Sequence, residues 1–134
     1  MRISEALANT RPFFSFEFFP PKDEAGSRQL FAAIEQLLPL RPAFVSITYG
    51  AGGSSRARTV ALAKQIQQEI GLTVMAHVTC VGSTRAELRA LFDDLARAGV
   101  QNVLALRGDP PKGASDFQAP AGGFAYASEL IAML

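Results

Sequence analysis

Phe13-Phe14-Ser15-Phe16-Glu17-Phe18-Phe19-Pro20-Pro21 is the stretch on which the reading of this chain turns. Five phenylalanines surround one carboxylate, and two prolines close the run. Aromatic residues at this density favour a β-strand, and consecutive prolines, which lack N–H donors, stop it from continuing. Alternation along the strand places Phe14, Phe16 and Phe18 on one face and Ser15 and Glu17 on the other. A carboxylate set among apolar surface is costly to ionise, so Glu17 is expected to have a raised pKa suited to proton donation. The plainer reading is a core strand whose carboxylate reaches solvent at the sheet edge.

Upstream, residues 3–9 are expected to form a short helix. Downstream, the turn Pro20-Pro21-Lys22-Asp23 is followed by a change of period. Leu30, Ile34, Leu37 and Leu38 share a helical face, with Phe31 beside them, and the helix ends before Pro39. Ala43-Phe44-Val45-Ser46-Ile47-Thr48 reads as a second strand, halted by Tyr49-Gly50-Ala51-Gly52-Gly53. A helix over about 55–70 turns Val60, Ala63, Ile66 and Ile70 inward and stops at Gly71. Residues 73–80 form the third strand. Thr84 and Glu87 then make a capping box before the stripe Leu88, Leu91, Phe92 and Leu95, and Gly99 closes that helix. The fourth strand, 102–106, runs into Arg107-Gly108-Asp109-Pro110-Pro111, and residues 126–134 begin another helix. The intervening segment, 110–123, is rich in Gly, Pro and Ala. It is expected to be the most mobile interior stretch, with Phe117 as its large apolar anchor.

A strand–helix unit that recurs about every thirty residues implies parallel strands joined by right-handed crossovers. A doubly wound nucleotide-binding sheet wants a glycine fingerprint after its first strand, where this chain has Phe-Pro-Pro-Lys-Asp. Polar residues instead gather at the C-terminal end of every strand, as at the catalytic rim of a barrel: Glu17; Thr48 and Tyr49; His77 and Thr79; Arg107 to Asp109. The expected fold is α/β, of (β/α)8 TIM-barrel type, with only the first four βα units present. Residues 1–134 then make the N-terminal half of one barrel domain. The strand order should be 1-2-3-4, with Glu17, Thr48, His77 and Asp109 at one rim. Such a half-barrel leaves Phe44, Val74 and Leu104 without facing partners and exposes two sheet edges. Self-association, hence a homo-oligomer, is therefore expected.

Composition narrows the function classes. With 49% hydrophobic and 19% charged residues, 134 residues can build a core. A net charge of +1 argues against nucleic acid or an anionic membrane as partner. Cys80 is the only cysteine, so no internal disulfide forms, which suits a reducing cytosol. Residues 1–11 lack a signal-peptide core, and no apolar run approaches the ~20 residues of a membrane span. One His and one Cys leave little for a transition metal. The expected protein is cytoplasmic.

Individual residues carry both plain and chemical readings. A lone strand histidine such as His77 is usually a core residue with one hydrogen-bond partner. The glycine-rich turn after Thr48 and Tyr49 exposes N–H groups beside a helix start, which suits a phosphate or another electron-rich ligand edge. Gly108, between two charges, would let the backbone approach a ligand. Lys22, Lys64 and Lys112 lie outside the strands, which disfavours a Schiff-base aldolase.

Taken together, Ser15-Phe16-Glu17-Phe18-Phe19-Pro20-Pro21-Lys22, Val45-Ser46-Ile47-Thr48-Tyr49-Gly50-Ala51-Gly52-Gly53, His77-Val78-Thr79-Cys80, Leu104-Ala105-Leu106-Arg107-Gly108-Asp109-Pro110-Pro111 and Tyr126-Ala127-Ser128-Glu129-Leu130 resemble the signature segments of the methylenetetrahydrofolate reductases. The resemblance implies a flavin-dependent (β/α)8 barrel. It implies bound FAD, reduced by NADH or NADPH, and hydride transfer to 5,10-methylenetetrahydrofolate to give 5-methyltetrahydrofolate for methionine synthesis. By the same match Glu17 is the general acid that opens the folate's five-membered ring. Asp109 addresses flavin and pterin and stabilises the cationic iminium. The match also gives Thr48, Tyr49, Ala51, His77, Arg107, Gly108, Asp109, Tyr126 and Ala127 as flavin-binding, and Glu17 and Asp109 as substrate-binding. The family's barrel has eight strands, and the later ones supply further cofactor contacts. The alternative is a non-catalytic half-barrel module that pairs with itself or with a partner chain.

Overall fold

Aromatic and β-branched residues fall where the strands form. The computed structural model of the chain describes residues 1–9, 12–49, 56–110, 113 and 116–134. Its strands are β1, Ser15–Phe18; β2, Phe44–Ile47; β3, Val74–Thr79; and β4, Asn102–Leu106. All pair in parallel in the order β1-β2-β3-β4, as expected. Consecutive order means that the chain winds in one direction, unlike the reversal of a doubly wound sheet. The described sheet is open, with β1 and β4 at its edges.

Register sorts the side chains. Glu17, Ser46, Met75 and Asn102 lie in one row across the four strands, so they share a face with His77 and Thr79. The next row, Phe18, Ile47, Ala76 and Val103, points the other way. That second face packs on the helices. It supplies Val45, Ile47, Val74, Ala76 and Val78 to a core completed by Ile34, Ile66, Leu88, Leu95 and Leu130.

The helices are α1, Ile3–Asn9; α2, Glu24–Leu37; α3, Arg56–Gln65; α4, Arg85–Arg97; and α5, Ala127–Met133. Local chemistry sets their ends. The Asp23 carboxylate accepts from the Gly26 N–H at 2.7 Å and caps α2. A π turn, Ile66–Ile70, prolongs α3 and stops at Gly71, whose φ of 78° suits glycine. The expected capping box is present: the Thr84 N–H donates to Glu87 at 2.8 Å, and the Glu87 N–H to Thr84 Oγ1 at 3.3 Å.

Several expectations need correcting. Leu38 leaves the core stripe, because the chain tightens into a 3-10 turn, Leu38–Leu40, at Pro39. Val74 has partners on the helix side, because register places it beside Val45, and it is fully buried. Phe44 and Leu104 do share the inner face, where Leu104 is 37% exposed. In the 110–123 segment, positions 111–112 and 114–115, including Lys112, lie outside the described residues. Its far end is anchored: Phe117 packs on the core, and the Arg85 N–H donates to the Gly122 carbonyl at 2.9 Å.

Candidate functional site

Strand parity aims Glu17 at the inner face, and register brings Ser46 beside it. The Ser46 hydroxyl donates to Glu17 Oε2 at 3.3 Å, and His77 Nε2 lies 3.5 Å from the same oxygen. The phenylalanines do not enclose this carboxylate. Phe16 and Phe18 pack on the core side, and the Glu17 side chain is 53% exposed. The apolar surround expected from the sequence is therefore absent in this chain, because alternation separates Glu17 from its aromatic neighbours.

His77 is buried, and burial pushes its pKa below the ordinary imidazole value, with the Glu17 charge partly opposing. His77 Nε2 is close to Glu17 but off-line, and it makes no hydrogen bond; buried Thr79 Oγ1 lacks one too. Buried polar groups are ordinarily paired, and these two atoms are covered by the chain itself without a hydrogen-bond partner.

Beyond the strand ends the loops are cross-braced. The Thr48 carbonyl accepts from Thr59 Oγ1 at 3.0 Å. The Tyr49 hydroxyl accepts from Arg56 Nε at 2.9 Å, and Arg56 Nη2 donates to Ser83 Oγ. Burial raises the pKa of Tyr49, and Arg56 works against that rise. Ala51 and the rest of the glycine turn, 50–55, lie outside the described residues.

After β4 the Arg107 carbonyl accepts from the Val81 N–H at 3.1 Å, and its guanidinium stands 5.1 Å from the centre of the Phe117 ring. Gly108 has a φ of +88°, and a Cβ there would come within 2.7 Å of Val81 Cγ1 and 2.9 Å of Thr79 Cβ. The close approach expected at Gly108 is therefore to β3 and the loop after it, which requires glycine for internal packing. Asp109 is exposed. Tyr126 is also exposed, and Ala127 is the first residue of α5. There the Glu129 carboxylate accepts from the Ala125 and Tyr126 N–H groups at 2.8 and 2.9 Å. Among the described residues no hydrogen bond or ion pair joins Asp109 to the Glu17–His77 pair.

The structure thus brings Glu17 and His77 together and adds Ser46, Arg56, Thr59 and Ser83. Ser46 was findable, since it shares the parity and strand position of Glu17. Arg56 and Ser83 carried no sequence signal. The clefts of about 400–520 Å³ between helices contain neither Glu17 nor His77, because the inner sheet face has no opposite wall. Among the described residues no cluster of three or more His, Cys, Asp or Glu could hold a metal ion, and no helix is long and apolar enough to cross a membrane.

Comparison with known proteins extends this picture. The family profile described as methylenetetrahydrofolate reductase matches residues 2–134. A rice protein (Oryza sativa subsp. japonica) named probable methylenetetrahydrofolate reductase (NADH) is 42% identical over 130 residues, covering 97% of this chain and 22% of that protein. Methylenetetrahydrofolate reductase (NADH) 1 of Arabidopsis thaliana is 43% identical over 130 residues, with the same coverage of 97% and 22%. The 5,10-methylenetetrahydrofolate reductase of Escherichia coli (strain K12) is 39% identical over 120 residues, covering 90% of this chain and 38% of that protein. The chain therefore spans 22% to 38% of the length of these relatives. With the profile matched across residues 2–134, the chain belongs to the methylenetetrahydrofolate reductase family.

Proposed function

We propose that residues 1–134 form the first half of a single (β/α)8 barrel that reduces 5,10-methylenetetrahydrofolate to 5-methyltetrahydrofolate as a cytoplasmic flavoprotein. FAD is the cofactor and NADH or NADPH the reductant; NADH, which the names of the rice and Arabidopsis relatives carry, is the first to test. The observation that carries this reading is the convergence of Glu17, Ser46 and His77 on the inner sheet face of a chain of this family. FAD, when bound, supplies the hydride-transfer chemistry.

The protein's own residues do the rest. Glu17 is the general acid that protonates the folate as its five-membered ring opens. The Ser46 hydroxyl donates to Glu17 Oε2, and His77 Nε2 lies near the same oxygen. Asp109, exposed after β4, stabilises the cationic iminium centre and hydrogen-bonds the pterin. Thr48, Tyr49, Ala51, His77, Arg107, Gly108, Asp109, Tyr126 and Ala127 would hold the flavin, Gly108 through its backbone alone.

The deciding experiment is Glu17→Gln in the full-length protein, with the two half-reactions followed separately. Folate reduction should fall by about 10²–10⁴-fold, the usual contribution of general acid catalysis, while nicotinamide-driven flavin reduction persists. Equal loss in both half-reactions would show that Glu17 is structural.

A second reading, an assembly half-barrel that works as a homo-oligomer, is favoured by the exposed inner face. Leu104 and Leu106 are each 37% exposed. A colourless, self-associating preparation of the chain in sedimentation equilibrium supports it. A yellow, flavin-retaining monomer rejects it.

A further inference from the structure

Arg56 opens α3, and its side chain lies half-buried between two rim loops. Nε donates to the Tyr49 hydroxyl at 2.9 Å, and Nη2 donates to Ser83 Oγ. Tyr49 follows β2. Ser83 follows β3, is wholly buried, and passes its own proton to the Val81 carbonyl at 3.3 Å. The Ser83 loop is clamped in turn to the segment before α5. Thr84 bridges Gly123, and a Cβ on Gly123 would fall 2.7 Å from the Ser83 carbonyl oxygen. One planar guanidinium therefore joins the ends of β2 and β3 and, through Ser83 and Thr84, the segment leading to Tyr126. Two acceptors in fixed directions suit a guanidinium fork, whereas an ammonium group is a point donor on a flexible stem.

We propose that Arg56 is a positioning residue, which holds Tyr49 and Ser83 in one two-armed grip so that Tyr49 and the loop after β3 present a prearranged surface to the flavin. The proposal rests on the flavoprotein reading of this rim. Arg56 acts through Tyr49 and Ser83, so its loss should weaken cofactor binding. Breaking either arm opens the same grip, so the two arms should not contribute independently.

The test is FAD titration of the full chain as wild type, Arg56→Met, Arg56→Lys, Ser83→Ala and the Arg56→Met/Ser83→Ala pair. Each single variant should bind FAD about tenfold more weakly, the loss expected when a buried hydrogen-bonding group loses its partner, and the pair should be no worse than either. Wild-type affinity in Arg56→Lys would show that charge alone suffices, and additive losses would show two independent contacts; either outcome overturns the grip. A second readout needs no cofactor. The chain has two tyrosines and no tryptophan, so Tyr126→Phe leaves Tyr49 as the sole phenol. In that background Arg56→Met should move the phenolate absorption to higher pH, since the buried hydroxyl loses its cationic donor. If the wild type takes up no FAD, the flavin reading fails while this titration still judges the grip. An unmoved Tyr49 overturns it, and a shifted one upholds it for another ligand.

Discussion

The two faces of the sheet are built from the same strands and behave as different materials. On the helix side Ile47, Val74, Ala76 and Val78 are at most 1% exposed and interlock with Ile66, Leu88 and Leu130. On the inner side the same strands carry Glu17, Ser46, His77 and Thr79 beside Leu104 and Leu106, with two buried polar atoms that lack a hydrogen bond and with partly exposed leucines. The first face holds the chain together. The second carries the residues of the proposed site, and its partly exposed leucines are the features that a ligand or further protein surface would cover. Packing and the proposed site are thus segregated by strand parity, within a single residue's spacing.

The largest effect should come from attacking the packed face. Leu88→Ala should cost about 2–5 kcal/mol in urea unfolding, the range for a buried leucine that leaves a cavity. Leu104→Ala on the inner face should cost clearly less than Leu88→Ala, since Leu104 is 37% exposed whereas Leu88 is fully buried. Equal costs would break the comparison.

Where inner-side loops pin to β3, packing tightens again. Gly108→Ala combines a left-handed backbone with a clash on Val81 and Thr79, and should cost about 1–3 kcal/mol by the same assay. A neutral result would mean that the Gly108 turn moves freely.

A smaller, pH-dependent effect belongs to His77. Its folded pKa is depressed below 6.5, so the unfolded chain binds the proton first. Its contribution is complete above pH 6.5 and is lost as the pH falls towards the folded value. The slope for this one group is at most about 1.4 kcal/mol per pH unit. Denaturation midpoints of His77→Gln should lack that component, and an unchanged acid slope would show that the imidazole is already solvated.

The smallest effect is expected at the helix surface, behind the packed face. The Lys64–Asp94 pair, at 2.6 Å and partly exposed, holds the Asp94 carboxyl below its usual pKa. Lys64→Met should leave stability nearly unchanged, and added salt should shrink any difference.

Much of the architecture was legible locally. The change from two-residue to helical period, the Thr84–Glu87 capping box, the stops at Gly71 and Gly99 and the four strands are decided by neighbours in the chain. Even the segregation of Glu17 from Phe16 and Phe18 followed from alternation. That alternation also undercut the expectation of an enclosed carboxylate, because aromatic neighbours in sequence point away in space.

The sequence by itself determined which residues could share a strand face and where each helix begins and ends, since both follow from short-range sterics and hydrogen bonding. Only the tertiary structure decided in what register those strands pair. Register set Ser46 against Glu17 across 29 residues, buried Val74 beside Val45, and seated Ser83 on Arg56 across 27. It also turned Gly108 into a packing requirement, because the space its missing Cβ leaves is filled by Val81 and Thr79 from another strand end. Such contacts depend on the simultaneous packing of elements far apart in the chain, and local sequence contains no term for them.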